Sequence, residues 1–369
     1  MLVIAAAVCL SISPAFAADT VKIGLMGPLT GSYASEGLEM KQVVDLLAEQ
    51  LNAKGGLNGA KVEIVAEDDG SDPKTAALAA QKLSTKGVKA VIGTYGSSVT
   101  EASQNIYDEN KIIQVATGST NVRLTDKGLK YFFRTCGRDD AQGLVGAQAI
   151  EKMGFKKVAI LHDNTTYAKG LAEVAKGLLE PKGIKIVFYE AITPGEQDYT
   201  TILTKMKGAA PEIVFFTGYY KEGGLLLRQA KEMGWKVPFM GGDATNNPDL
   251  VKTAGNAAAE GFMFLSDPLP KDLSNAKVKE FLAAFTKKYG KPAASVYAVY
   301  AGDAFNVIAA AIEGSKGTDP DKMADYLKTK LKDYPGLTGN ITFDKKGDRV
   351  GGGYRIYKVD AAGTFVIQP

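Results

Sequence analysis

AVIGTYGSSVTEA, residues 90–102, is the stretch on which the reading of this chain turns. Ala90-Val91-Ile92-Gly93 is a short apolar run of the kind that fills a buried parallel strand. Ser98 and Glu101 have the spacing of a capping box, which predicts a helix starting there. A strand that turns tightly into a helix puts Ser97 beside unpaired backbone N–H groups and the positive end of the helix dipole. That geometry suits an anion such as a carboxylate. The bland alternative, Ser97 as an ordinary turn residue, stands beside it.

The same strand-to-helix unit recurs along the chain. Val21–Leu25 predicts a strand, and Leu38–Ala53 a helix with Val44, Leu47 and Leu51 on one face and a glycine stop at Gly55-Gly56. Strands at Val62–Ala66, Val88–Gly93 and Lys111–Val115 follow, with a helix opening at Asp72-Pro73 between the first two. The pattern restarts after Gly143. Strands at Lys157–His162, Ile184–Tyr189, Glu212–Thr217 and Val237–Met240 alternate with helices at Gly170–Leu179, Tyr199–Lys207 and Gly223–Met233. Alternation of this kind predicts parallel sheets covered by helices on both faces. Two series, parted near Arg134–Asp140, predict an α/β protein of two doubly wound lobes. Long helices at Leu273–Tyr289, Ala293–Glu313 and Asp319–Leu331, then a hairpin of Val350–Val359 and Thr364–Ile367, suggest a chain that returns to the first lobe and crosses once more.

A length of 369 residues suits two domains. Charged residues make up 23% and the net charge is +3, with no basic stripe interleaved with aromatics, so nucleic-acid binding has little support. Leu2–Ile12 is almost wholly apolar, too short to span a bilayer, and Ala15-Phe16-Ala17 fits a small-x-small cleavage site. Residues 1–17 therefore read as a signal peptide of an exported protein. Only Cys136 remains beyond it, so an intramolecular disulfide is excluded from the mature chain. No other apolar segment approaches spanning length on this reading.

Ligands of open parallel sheets bind beyond the carboxyl ends of the strands. Those ends carry Tyr95, Gly96 and Ser97, then Gly118, Ser119 and Thr120, in the first series. In the second they carry Tyr167, Tyr219 and Asp243. Hydroxyls and amides on one side face two aromatics and a carboxylate on the other. A zwitterion suits such a cleft, its carboxylate at Ser97 and its ammonium on Asp243. Catalysis finds little footing. The single histidine, His162, ends a strand and reads as structural. No nucleophile elbow, phosphate loop or His/Cys metal cluster occurs, and Gly351-Gly352-Gly353 lacks the helix a phosphate loop needs. Asp68, Asp69 and Asp72 read as a strand-end turn with a helix cap rather than a cation site. The chain is therefore expected to be no enzyme and to need no cofactor or metal.

Longer motifs add a family resemblance. Ile23-Gly24 with Pro28-Leu29-Thr30-Gly31, Asn52-Ala53-Lys54-Gly55-Gly56-Leu57-Asn58-Gly59, Asp68-Asp69-Gly70-Ser71-Asp72-Pro73-Lys74, Phe133–Asp140, His162-Asp163 with Tyr167-Ala168-Lys169-Gly170, and Phe343–Asp348 together resemble the periplasmic branched-chain amino-acid binding proteins of the type I solute-binding superfamily. The resemblance implies two lobes joined by three crossovers that close like a hinge, with lobe one formed by 18–138 plus 267–344 and lobe two by 139–266 plus 345–369. It implies a periplasmic monomer that delivers its ligand to an inner-membrane ABC permease. By position, Ser97 and Thr120 would hold an amino-acid carboxylate with backbone groups of Tyr95 and Gly118 nearby, and Tyr167, Tyr219 and Asp243 would complete the site. Relatives often carry a disulfide between the positions of Ser71 and Gly96, which this chain lacks. The loop position usually aromatic is Glu36 here, with Tyr33 nearby able to supply the ring; Glu36 is thus a candidate ligand residue at the mouth, or a solvent-facing one.

An aliphatic amino acid is the expected ligand. Aromatic carboxylates or short amides, a ligand sensor of the same fold, and an exported hydrolase are the alternatives; no output domain supports the sensor and no nucleophile–base pair supports the hydrolase.

Overall fold

The computed structural model describes residues 20–369, so the signal-peptide reading of 1–17 falls outside the described residues. The first series runs β1 (Thr20–Gly27), α1 (Ala34–Ala53), β2 (Lys61–Asp68), α2 (Pro73–Thr85), β3 (Ala90–Ile92), α3 (Ser97–Glu109), β4 (Ile113–Ala116), the single turn α4 (Arg123–Asp126) and β5 (Phe132–Arg134). The second runs α5 (Asp139–Lys152), β6 (Lys157–His162), α6 (Thr166–Leu179), β7 (Lys185–Ala191), α7 (Thr200–Gly208), β8 (Ile213–Phe216), α8 (Tyr220–Glu232), β9 (Phe239–Gly241), the short helices α9 (Asp249–Ala254) and α10 (Asn256–Ala259), and β10 (Met263–Ser266). The chain ends with α11 (Ala276–Tyr289), α12 (Val296–Gly314), α13 (Pro320–Asp325), the two-residue strands β11 (Tyr334–Pro335) and β12 (Asn340–Ile341), then β13 (Arg355–Val359) and β14 (Phe365–Ile367).

Two sheets form. The first has the order β2-β1-β3-β4-β5, all parallel; the second has the order β14-β13-β10-β9-β8-β6-β7, with β13 and β14 antiparallel at one edge. Strands β4 (Ile-Gln-Val-Ala) and β8 (Ile-Val-Phe-Phe) are buried along their whole length, as parallel strands covered on both faces must be. The order of the first sheet reverses between β1 and β3, and that of the second between β6 and β8. Each is a switch point of the kind that opens a crevice at strand ends.

The helices start where their caps dictate. Asp72 accepts from the Thr75 N–H ahead of Pro73, and Thr165, Asn275, Ser295 and Asp319 cap α6, α11, α12 and α13 in the same way. Helix α12 packs against α1 so closely that a Cβ on Gly302 would lie 3.0 Å from Val43 Cγ1, so the chain does return to the first lobe. Strand β13 pairs with β10, which brings it back to the second.

Several elements depart from the sequence reading. Helix α5 begins at Asp139, before the expected restart. Its Gly143 and Gly146 weaken the helical pattern, yet a Cβ on Gly143 would fall 2.5 Å from Val174 Cγ1, so the glycine lets α5 lie tight against α6. Strands β5 and β10 are short and were not anticipated. The expected helix Asp319–Leu331 is α13 followed by a π-helical turn at Tyr326–Lys330. Contrary to the expectation that no further segment reaches spanning length, α12 is long and apolar enough; it lies largely buried as a core helix.

Candidate functional site

The turn after β3 is built by Gly93, whose φ is +112° and whose Cβ would stand 1.9 Å from the Met26 carbonyl oxygen. No side chain fits there, and the chain is steered directly into α3. The helix starts at Ser97 with Gly96 as its cap, two residues before the expected cap at Ser98, and no side chain caps it. The predicted capping box does not form. Ser98 Oγ accepts the Thr166 N–H at 2.9 Å, and Thr166 Oγ1 donates to Glu101 Oε2 at 2.8 Å. Both residues therefore reach across to α6. The first-turn N–H groups of α3 are left without a side-chain cap, which strengthens the anion seat.

Ser97 is fully buried, and its Oγ accepts the Asn121 N–H at 3.2 Å, leaving its O–H free to donate. Thr120 Oγ1 is buried beside Asp139. These two hydroxyls and the start of α3 form the acceptor-seeking wall. Arg134, at zero exposure, holds the loop behind it: its Nη1 donates to the Ser119 and Asn121 carbonyls at 3.0 and 2.9 Å, and its Nε is bonded to Asp348 Oδ1 at 2.5 Å.

The opposite wall follows β6, β8 and β9. Asp243 is buried beside Tyr167. The Asp243 N–H donates to Gln142 Oε1 at 2.8 Å, and the Ala244 N–H donates to the Tyr167 hydroxyl oxygen at 3.3 Å. Burial pushes the Asp243 carboxyl up to about 6, against hydrogen bonds from Tyr167, Gln142 and Tyr297 that lower it. Five tyrosine rings close the space between the walls. Tyr219 lies 5.4 Å from Tyr167, 5.8 Å from Tyr95 and 4.8 Å from Tyr33, centroid to centroid, and Tyr297 lies 4.9 Å from Tyr95.

Tyr95, Gly96, Ser97, Gly118, Thr120, Tyr167, Tyr219 and Asp243 thus converge as read from the sequence. Two other candidates are engaged elsewhere. The Ser119 hydroxyl is bonded to Thr100 Oγ1 at 2.7 Å and lies within 3.3 Å of the Thr94 and Tyr95 carbonyls, bracing the two loops. Glu36 is 1% exposed, so the solvent-facing alternative does not hold. It accepts the Asn247 amide at 2.6 Å from the second lobe and the Ser295 hydroxyl from α12. Burial raises it to about 7, those two hydrogen bonds opposing. Tyr33 donates to Glu222 Oε2 at 3.1 Å, a second tie between lobes.

Sequence reasoning missed Gln142, Tyr297 and Asp139. Tyr297 falls inside an apolar helical stripe, and Gln142 and Asp139 sit on the unanticipated α5. Asp139 is buried beside Thr120, and burial foremost, then Asp243, push its carboxyl well up, with a hydrogen bond from Thr120 opposing. His162 is buried and accepts the Asn164 N–H at 3.1 Å, a structural role; burial lowers its pKa. Asp68, Asp69 and Asp72 spend themselves on the N–H groups of Leu29 and Gly70, Ser71, and Thr75, and no group of three or more metal-ligating side chains occurs among the described residues.

Residues 20–364 match the family model described as periplasmic binding protein. The chain is 37% identical over 348 residues to a leucine-, isoleucine-, valine-, threonine-, and alanine-binding protein of Pseudomonas aeruginosa, covering 94% of this chain and 91% of that one. It is 37% identical over 340 residues to the Leu/Ile/Val-binding protein homolog 1 of Brucella abortus, covering 92% and 90%. Among solved structures, a leucine-binding protein from Thermotoga maritima superposes with a TM-score of 0.88 at 30% identity, over 95% of this chain and 98% of that one. A branched-chain amino-acid transporter substrate-binding protein from Streptococcus pneumoniae, in complex with isoleucine, gives 0.84 at 31% identity, over 95% and 100%.

Proposed function

We propose, on the premise that the chain belongs to the periplasmic binding protein family, that it captures an aliphatic amino acid between its lobes and presents it to an inner-membrane ABC permease. It is a binding protein of a transporter, not a catalyst. One observation carries the ligand class: the uncapped start of α3 with the buried Ser97 hydroxyl, an anion seat, shares the cleft with a buried carboxylate, Asp243. A zwitterion satisfies both ends at once. An aromatic carboxylate or a short amide would leave Asp243 without a cation, and an unpaired buried carboxylate is costly.

In this reading Ser97, Thr120 and the α3 N–H groups take the carboxylate, with Gly96 and Gly118 letting backbone approach. Asp243 takes the ammonium, and Tyr95, Tyr167 and Tyr219 flank the side chain. Glu36 acts by tying Asn247 to the first lobe rather than by touching the ligand. Lobe one comprises 18–138 plus 267–344 and lobe two 139–266 plus 345–369, closing as a hinge in a monomer that works in the periplasm after export.

Calorimetric titration with each of the twenty amino acids tests the reading. An aliphatic one should bind at about micromolar affinity or tighter. Absence of binding by all twenty rejects it.

A further inference from the structure

Away from the tyrosine-lined cleft, a cavity of about 280 Å³ is walled by all three segments that pass between the two sheets. Thr135 to Ala141 belong to the first passage, Asp267 to Leu273 to the second, and Arg349 to Arg355 to the third. We infer that this cavity is a second binding site, for a small oxyanion of the carboxylate or phosphate class, and that its occupancy is linked to closure of the lobes. The linkage rests on the hinge reading above; the site does not.

The cavity wall holds a surplus of donors. The wall carries Arg138, Arg349 and Arg355 against Asp140 and Asp267. Both acids are already served. Asp140 accepts from Arg138 Nε and from the Ala141 N–H, and Asp267 Oδ1 accepts the Gly353 N–H at 3.3 Å, with the Tyr300 hydroxyl also bonded to this carboxyl. Arg138 is consumed by Asp140, Asp348 and Thr125. Donors remain on the other two. Arg349 is 8% exposed at its side chain; its Nη1 lies 3.9 Å from the buried Asp303 carboxylate, and its Nη1 and Nη2 hold carbonyls and the Thr338 hydroxyl, but its Nε is buried with no partner. The Tyr354 hydroxyl is likewise buried and unpartnered. Arg355 is exposed and makes only backbone contacts, to the Gly353 and Tyr354 carbonyls. Unsatisfied donors beside a guanidinium call for an acceptor that carries charge.

Gly351-Gly352-Gly353, which has no place in the amino-acid cleft, forms the rim. Gly351 and Gly352 have φ of +81° and +90°, and a Cβ on either would meet nothing closer than 3.7 Å, so the triplet turns the backbone while leaving the cavity open. Any movement of one lobe against the other must shift the three passages relative to each other. An occupant touching all of them has different contacts in the two states, which is the requirement for linkage.

Titration of the full mature chain with inorganic phosphate, and separately with acetate, decides the matter, read by the arginine Nε–H signals in a ¹⁵N–¹H spectrum. The Arg349 signal should shift saturably, with a dissociation constant of about 1 mM or tighter for one of the two anions. Arg355→Gln and Tyr354→Phe should each weaken that binding by fivefold or more, while leucine affinity measured without anion stays the same. In the wild type, leucine affinity should change at least twofold between zero and saturating anion; in Arg355→Gln it should not. No saturable shift with either anion overturns the site. A shift untouched by both variants places the anion elsewhere and overturns it too. Anion binding with no effect on leucine affinity overturns the linkage. Failure of leucine to bind at all, with the Arg349 shift intact, counts against the amino-acid reading and not against this site.

Discussion

Thr166 and Ser98 join the two lobes at the helix ends that flank the cleft: the backbone N–H of Thr166, first residue of α6, donates to Ser98 Oγ of α3 at 2.9 Å. Two further bonds converge on the same residue, from its hydroxyl to Glu101 and from Asn121 Nδ2 to its carbonyl at 2.6 Å. Asn121 also supplies the N–H that Ser97 accepts. The clasp is therefore continuous with the proposed anion seat, so that a ligand held at Ser97 would favour the same closed arrangement as the contact at Thr166.

Removing the clasp should weaken binding without weakening the fold. Ser98→Ala and Thr166→Val each delete one hydrogen bond across the cleft, of about 0.5–1.5 kcal/mol. Ligand affinity should fall roughly two- to tenfold for each, by calorimetry, and the two effects should not add, because both act through Thr166. Melting temperature without ligand should move little. Unchanged affinity in both variants would show that closure does not use the clasp.

Asp243 gives a pH signature. Its folded pKa of about 6 comes from burial, and an ammonium beside it lowers that value again. Above pH 6 the carboxylate is ionised before ligand arrives, and affinity should be flat. As pH falls below 6, binding must expel a proton, so affinity should drop, by at most about tenfold per pH unit. Asp243→Asn should bind far more weakly at pH 7.5 and lose the pH dependence. The dissociation constant measured from pH 5 to 8 in both proteins checks this.

Much of the cleft is legible because it is local. A strand of apolar residues followed by glycine and serine announces its loop whatever lies opposite, and Tyr95, Ser97, Thr120, Tyr167, Tyr219 and Asp243 all follow strands in that way. What fails is what depends on distance. Ser98 and Glu101 have the spacing of a capping box, yet their partner is Thr166, in the other lobe, where tertiary contact outcompetes the local bond. Tyr297 lies in Val296–Gly314, whose apolar character marks it as core, and only the tertiary fold brings its hydroxyl to Asp243, in the turn after β9. Gln142 sits in a helix whose glycines hide it. Glu36 reads as exposed because acids generally are, and nothing in its neighbourhood announces Asn247 and Ser295.

Glu36 also makes a stability prediction. Its folded pKa, about 7, lies above the ordinary value for a glutamate, with desolvation as the cause and Glu39 and Asp249 adding like charge. The stability tied to its proton is fully present below the unfolded pKa and is lost as pH rises through 7. Glu36→Gln should therefore raise the melting temperature at pH 8, by an amount corresponding to at most about 3 kcal/mol, and change it little at pH 4.5. Thermal unfolding at the two pH values distinguishes this from a purely packing effect, which would be the same at both.

Arg134 and Asp348 form the buried ion pair on which the Ser119–Asn121 loop hangs. Asp348→Ala leaves the guanidinium uncompensated at zero exposure, a change that costs about 3–5 kcal/mol. The unfolding midpoint in urea should fall accordingly. Arg138 also bonds Asp348, at 2.7 Å, so Arg138→Met should cost less, because it is partly exposed and Arg134 keeps its partner.

In the proposed site, Tyr95 is placed to set which side chain fits between the charged ends. Its ring is packed against Tyr297, Tyr219 and Tyr33, it is 2% exposed, and its hydroxyl is buried with no hydrogen-bond partner. A buried unpaired hydroxyl costs about 1–3 kcal/mol, which a ligand can recover only by offering it a polar atom. Threonine and valine have nearly the same shape and differ in one such atom, so the ratio of their affinities isolates the effect. Threonine should bind at least as tightly as valine in the wild type. Tyr95→Phe removes the unsatisfied group, so it should raise the melting temperature slightly and shift the ratio toward valine by about fivefold or more. An unchanged ratio, with both amino acids still binding, would mean that the hydroxyl faces another part of the ligand, and that the side chain is selected by the rings of Tyr33 and Tyr219 instead.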